Sequence, residues 1–267
     1  MSVIMRRHQG TTVSPLKYRY PIRQMRSVSA RRAVGWWCLL FFLFGLLCFP
    51  TEGSGQDGQE VLWQTYKAAG NAAAEQGRYG EAENLFRSAI EQAEQFGSLD
   101  PRLADSLNEL AILYAMQQKF TQAEPLFQRS LGVSVAALGP DHPDVAIILR
   151  NMGILKASLQ KYAEADVLLG RSLLLTNRVL GQEHPIVAVT MRTIAVFQAV
   201  QGRYGEAERF IRRSLEISEK TLGSEHPEVA TSLELFAQVL RAEHQETEAD
   251  RAELRAQEIR ARYARVN

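Results

Sequence analysis

Three stretches of the chain bring together side chains that can do chemistry. Residues 138–146 read LGPDHPDVA, 180–188 read LGQEHPIVA and 222–230 read LGSEHPEVA, so His142, His184 and His226 each follow an acid and precede a proline. An imidazole beside a carboxylate is the chemistry of a metal site or of an acid–base pair. The spacing argues for neither. The three histidines are 42 residues apart and hold one place in successive units. Stacked units separate equivalent atoms by about 10 Å per helix layer, whereas zinc needs its ligands about 2 Å from one point. The stretches therefore read as three copies of one turn, in which the histidine or its neighbouring acid caps the incoming helix and the proline starts it. His8 and His244 have no visible catalytic partner. The only cysteines, Cys38 and Cys48, lie outside the body of the chain. No glycine-rich phosphate loop, nucleophile elbow or metal-spaced cluster occurs. No catalytic, cofactor or metal residue is assigned, and a non-catalytic role is expected.

The period extends beyond the histidines. Pro101 precedes Pro143, Pro185 and Pro227 at the same step of 42. GRYGEAE (77–83), QKFTQAE (118–124), QKYAEAD (160–166) and GRYGEAE (202–208) recur in step, and a faded copy, HQETEAD, occupies 244–250. A period of this length marks a solenoid whose units bury their apolar faces on one another. Within a unit, Val145, Ile148, Leu149, Met152 and Leu155 fall at helical spacing after Pro143, and a second helix runs to Gly181, read as a left-handed C-cap. Small residues recur twelve apart at Gly70/Ala82, Ala111/Ala123, Gly153/Ala165, Ala195/Ala207 and Ala237/Ala249, allowing two helices to approach. Seven residues after the second member stands another small residue (Ala89, Ser130, Ser172, Ser214, Ala256). The bulky Phe86, Phe127, Leu169 and Ile211 stand four after it in the first four units. Tyr79, Phe120, Tyr162 and Tyr204 are expected to plug between the helices. The acids of EAE and EAD sit at a helix start, where the dipole favours them.

This framework resembles the tetratricopeptide repeat (TPR). The 42-residue unit with LGxxHPxVA between units is similar to the kinesin-light-chain type of that family. The resemblance covers about residues 59–260. It departs from the pattern in the alanine-rich first unit, which lacks the His-Pro turn, and in the fifth. There Glu246 and Glu253 replace the aromatic and the bulky residue, as suits a solvent-facing cap. The resemblance implies an all-α, right-handed α-solenoid of about five helix-turn-helix repeats, with units at about 59–100, 101–142, 143–184, 185–226 and 227–265. It also implies a concave groove for an extended peptide or partner protein, lined by the first helices. Carried over residue by residue, the groove positions are Gln64, Lys67 and Asn71; Asp105, Asn108 and Ile112; Arg150, Asn151 and Ile154; and Arg192, Thr193 and Val196. Asparagines there suit a peptide backbone, Arg150 and Arg192 a carboxylate, and Ile112, Ile154 and Val196 apolar side chains. The same residues would also suit an ordinary solvated helix face.

Charge and hydropathy bound the rest. Residues 1–55 hold eight basic residues and one acid, which leaves 23 basic and 29 acidic residues, a net charge of −6, in 56–267. An acidic body argues against nucleic-acid binding. Residues 1–32 read as a basic, disordered leader; translation from Met25 would give an ordinary signal-peptide opening. The segment 33–50 contains AVGWWCLLFFLFGLLCF, seventeen residues without a charge, read as an export signal or a membrane anchor. Residues 51–58 form a linker, in which cleavage at 53–56 is plausible, and 59–267 the repeat array. The basic flank places the array across the inner membrane, soluble after cleavage or held to the membrane through 33–50. The expected role is a scaffold or adaptor. The alternatives are an accessory subunit of an envelope enzyme complex and a self-associating structural protein.

Overall fold

The computed structural model describes residues 53–266. The leader, the alternative start at Met25 and the apolar segment 33–50 lie outside these residues. Ten helices and no strand occur among the described residues: α1 (Gly53–Glu75), α2 (Tyr79–Glu94), α3 (Pro101–Met116), α4 (Phe120–Leu138), α5 (Pro143–Ser158), α6 (Tyr162–Leu180), α7 (Pro185–Val200), α8 (Tyr204–Leu222), α9 (Pro227–Ala242) and α10 (Glu246–Val266). Each odd-numbered helix packs on the even-numbered helix that follows it, and successive hairpins stack in chain order. The chain is an α-solenoid. Helix α1 begins at Gly53, ahead of the expected start of the array at 59, so part of the presumed linker is helical.

The His-Pro turns are helix starts. The Nδ1 atoms of His142, His184 and His226 accept the backbone N–H groups of Asp144, Ile186 and Glu228, each at 3.2 Å. Proline follows each as the first helical residue, where its missing N–H costs nothing. Asp100 serves α3 in the same way, accepting from the Arg102 N–H at 2.9 Å. A neutral imidazole that accepts at Nδ1 carries its proton on Nε2.

Small and bulky residues mesh inside each hairpin. A Cβ added to Gly70 would meet the Phe86 ring at 2.8 Å, and one added to Gly153 would meet Leu169 Cγ at 2.7 Å. Ser130, Ser172 and Ser214 are fully buried. Their hydroxyls donate to the carbonyls of Ala104, Ala146 and Ala188 at 2.6, 2.7 and 2.8 Å, tying each second helix to the first. The core is a chain of linked clusters, one joining Phe86, Phe127 and Met152 and another joining Ile211, Phe236 and Leu240.

The aromatics that open the second helices pack against the core without being fully buried: Phe120, Tyr162 and Tyr204 are half-buried, and Tyr79, 37% exposed, lies furthest out. Phe86 and Phe127 fill the interior. One expectation is corrected. Gly181 is not a left-handed cap. With φ 83° and ψ 157° it occupies an extended, positive-φ region that only glycine enters readily, as do Gly139 and Gly223. In the fifth unit Glu253 forms an ion pair with Arg241, in place of a bulky apolar contact.

Candidate functional site

The first helices α1, α3, α5, α7 and α9 line a cavity of about 1010 Å³ on the inner face of the stack. Its wall is mixed. Gln64, Lys67, Asn71, Asp105, Asn108 and Arg150 contribute polar groups, and Ile112, Ile147, Ile186 and Val189 contribute aliphatic ones. The cavity meets the helices obliquely. It reaches Glu75 at the end of α1 and runs the length of α3 from Pro101 to Met116. It touches α5 only from Pro143 to Arg150, α7 at Ile186 and Val189, and α9 at Glu228.

That oblique path sorts the expected groove residues. Gln64, Lys67, Asn71, Asp105, Asn108, Ile112 and Arg150 line the cavity, whereas Asn151, Ile154, Arg192, Thr193 and Val196 do not. Copying one position from unit to unit assumes that the groove crosses every helix at the same height. The stack rotates instead, and by α7 the groove has moved toward the helix N-terminus. Val196 packs in the apolar core at 9% exposure. The Thr193 hydroxyl bonds back to the Val189 carbonyl at 2.9 Å, and Ile154 is half-buried.

Polar pairs between successive units stiffen this face. Lys67 Nζ lies 2.5 Å from Asp105 Oδ2 and 4.4 Å from the centre of the Trp63 ring. The Trp63 indole N–H donates to Ser106 Oγ at 2.8 Å. Asn151 Nδ2 donates to Asn108 Oδ1 at 3.0 Å, and the Asn151 Oδ1 has no partner among the described residues. Arg192, 6% exposed, places Nη1 2.7 Å from Glu228 Oε2 and 3.3 Å from Ser232 Oγ. Its guanidinium is engaged inside the protein, so the expectation that it presents a fork to a ligand carboxylate is corrected.

Sequence reasoning passed over Ile147, Val189, His184, His226 and Glu228. For two of them the signal was present. Ile147 and Val189 stand at the register of Gln64 and Asp105, positions already assigned to the groove in the first two units. The histidines and Glu228 belong to turns, and only the stacking brings those turns to the cavity edge. Burial lowers the pKa of His184, keeping the imidazole neutral and able to accept at Nδ1. Among the described residues no group of three or more His, Cys, Asp or Glu is placed to hold a metal ion, and no helix is long and apolar enough to cross a membrane.

Comparisons with known proteins agree with this architecture. The structure is similar to BtubC (BKLC) from P. vanneervenii, with a TM-score of 0.66 and 21% identity over 79% of this chain and 84% of that one. A Podosopora anserina protein described as a kinesin light chain with nearly identical TPR-like repeats matches with a TM-score of 0.58 and 23% identity, over 75% of this chain and 95% of that one. A Rap protein complexed with Competence and Sporulation Factor has a TM-score of 0.66 at 13% identity, over 77% of this chain and 57% of that one. At these identities the likeness shows the fold. A comparison with curated proteins gave no match. The tetratricopeptide repeat model itself matches residues 64–133, 102–173 and 192–262. With its helix pairs, its small-to-bulky mesh and most of its length accounted for by that model, the chain belongs to the tetratricopeptide repeat family.

Proposed function

We propose that the protein is a non-catalytic interaction scaffold that holds an extended peptide, or an extended segment of a partner protein, in the cavity along its first helices. One observation carries the reading. A cavity of about 1010 Å³ brings the half-buried amide of Asn71 together with aliphatic side chains (Ile147, Val189) on a framework fixed by bonds between units, among them that of Asn151 to Asn108. Such a surface offers hydrogen bonds to a peptide main chain and pockets to its side chains. The similar Rap protein is described in complex with Competence and Sporulation Factor, which supports the reading by analogy of fold. The apolar run after the arginines supports export, so the partner belongs to the cell envelope and the array is either released by cleavage or held at the membrane.

The test is capture from an envelope extract with the intact protein, beside a variant carrying Ile147→Gln and Val189→Gln. Both positions are half-buried and line the cavity, so the variant keeps its helical content and melting behaviour. A single partner bound by the native protein and lost by the variant is the expected result. Equal capture by both would overturn the groove as the binding surface.

A further inference from the structure

Leu62, Thr65 and Ala69 of α1 are open, although the matching positions of every later first helix are closed. The counterparts of Leu62 are Leu103, Val145, Val187 and Val229, all fully buried, whereas Leu62 is 38% exposed. Those of Thr65 are Ser106, Ile148, Thr190 and Ser232, again buried, whereas Thr65 is exposed. The bulky Leu110, Met152, Ile194 and Phe236 give way to Ala69, which is half-buried. Inside the array the second helix of the preceding unit covers this face. Ile90 packs in one cluster with Leu103, Leu131 with Val145, Leu173 with Val187 and Leu215 with Val229. Among the described residues α1 has no preceding helix and α10 no following one, so each carries one half of such a joint.

The two halves match. Arg212 of α8 lies 4.6 Å from the centre of the Phe236 ring on α9. The same register puts Leu254 of α10, 58% exposed, opposite Ala69, so the bulk changes sides. At one rim of an internal joint Asp166 of α6 pairs at 3.3 Å with Arg203, which immediately precedes α8. The corresponding residues are Asp250 on α10 and Arg78 before α2, within the same GRYGEAE stretch that holds Arg203. At the other rim Arg265 and Asp57 fall at the register of Gly223 and Ser224, consecutive residues of the α8–α9 joint. Neither Arg265 nor Asp57 takes an ion pair among the described residues. Opposite charges thus meet at both rims, with an aliphatic side chain against a small one between them. Gln257 stands where the inner helices hold Ile90, Leu131, Leu173 and Leu215, so this joint is weaker than an internal one and opens on dilution.

We infer that the open face of α1 is occupied by a second copy of the chain, seated through its α10, so that the hairpins continue head to tail from one copy to the next. Such a contact joins two different surfaces, and a dimer made this way still offers one of each, so assembly continues beyond two copies. Leu62, Thr65, Ala69 and Leu254 do not line the cavity, so the inference stands apart from the peptide reading.

The test is sedimentation velocity of the full-length chain in mild detergent at rising concentration. The average mass is expected to climb past that of a dimer and to fall again on dilution. Arg78→Asp is expected to weaken association about fivefold or more, and Asp250→Arg added to the same chain to restore it to within about twofold. Leu254→Glu, at an exposed site, is expected to abolish association with the melting curve unchanged. A monomer at every concentration would overturn the inference, whether the face stays open or the chain's own residues 1–52 cover it. Association indifferent to both Leu254→Glu and Arg78→Asp would place the contact elsewhere, the apolar run 33–50 included, and overturn it as well. Cross-linking identifies the two surfaces. In chains carrying Cys38→Ser and Cys48→Ser, Ala69→Cys is placed in one preparation and Leu254→Cys in another. A short bismaleimide is expected to join chains only when the two are mixed. Product from the Ala69→Cys preparation alone, together with a mass that stops at the dimer, would show α1 meeting α1 and end the head-to-tail assignment.

Discussion

Arg192 and Glu228 form an ion pair between the fourth and fifth units, with Nη1 2.7 Å from Oε2 and side chains only 7% and 15% exposed. The pair joins α7 to the first turn of α9. Removing one member strands the other charge in a largely water-free setting, which costs more than the pair itself contributes. Arg192→Ala is expected to lower the unfolding free energy by about 3 kcal/mol. Arg192→Met with Glu228→Gln should recover most of that loss. Urea denaturation of the native protein and both variants checks this. A single variant as stable as the native protein would mean that water reaches the pair freely.

The contact between Gly153 and Leu169 gives a test of the hairpin mesh. A methyl at Gly153 would lie 2.7 Å from Leu169 Cγ, so Gly153→Ala forces the leucine or its helix to move. Overpacking of this kind costs about 1–3 kcal/mol. Shortening the opposing side chain with Leu169→Val should relieve the clash, making the double variant more stable than Gly153→Ala alone. Thermal melts of the two decide it; additive losses would show that the helices do not meet there.

Burial also ranks the aromatic positions. Phe127 is 1% exposed, and Phe127→Ala should cost about 3–5 kcal/mol. Tyr79 is 37% exposed and its truncation should cost well under half as much. Similar losses at the two sites in chemical denaturation would restore the reading of the helix-opening aromatics as core plugs.

Acid should loosen the fourth unit through His184. Its imidazole accepts the Ile186 N–H at Nδ1, and burial lowers its pKa from the ordinary value. The folded state therefore prefers the neutral ring. The stabilisation is fully present above the unfolded pKa of about 6.5 and is lost as pH falls through the lower folded value. His184→Asn keeps an acceptor at the cap and should flatten that part of the stability profile below about pH 6.5. A profile identical to that of the native protein would assign the acid sensitivity elsewhere.

Two hairpin turns hold glutamine where others hold glycine. Gln118 and Gln160 have φ of 61° and 59°, while Gly77 and Gly202 occupy the matching turns at 75° and 74°. A side chain in this conformation is strained by about 1 kcal/mol. Gln160→Gly should therefore raise stability by a few tenths to about 1 kcal/mol, net of the extra freedom glycine gains when unfolded. Calorimetry on the single substitution is sufficient.

The period of 42 made the hairpins, the proline starts and the small-to-bulky pairs legible before any coordinates, because each is a local rule repeated in phase. Gly70 opposite Phe86 and the histidine caps follow directly from it. The cavity was half legible. The positions expected on α1 and α3 line it, since it follows those helices over much of their length. Arg192 and Val196 lie outside it, because the rotation of one unit on the next is a property of the stack that no single unit's sequence states. Val189 shares its register with Asp105 but not its chemistry, so a search for polar groove residues passed over it.

The fifth hairpin closes the array with Glu253 salted to Arg241 in place of an apolar wedge, and the cavity touches this hairpin only through Glu228 and the cap residue His226. Amide exchange should therefore be fastest in α10 and little slowed there when the groove is filled, whereas α1 and α3 should gain protection. On the proposed groove reading, opening of the last hairpin would leave an occupant's contacts with α1 and α3 in place, so the first two units would set how long it stays.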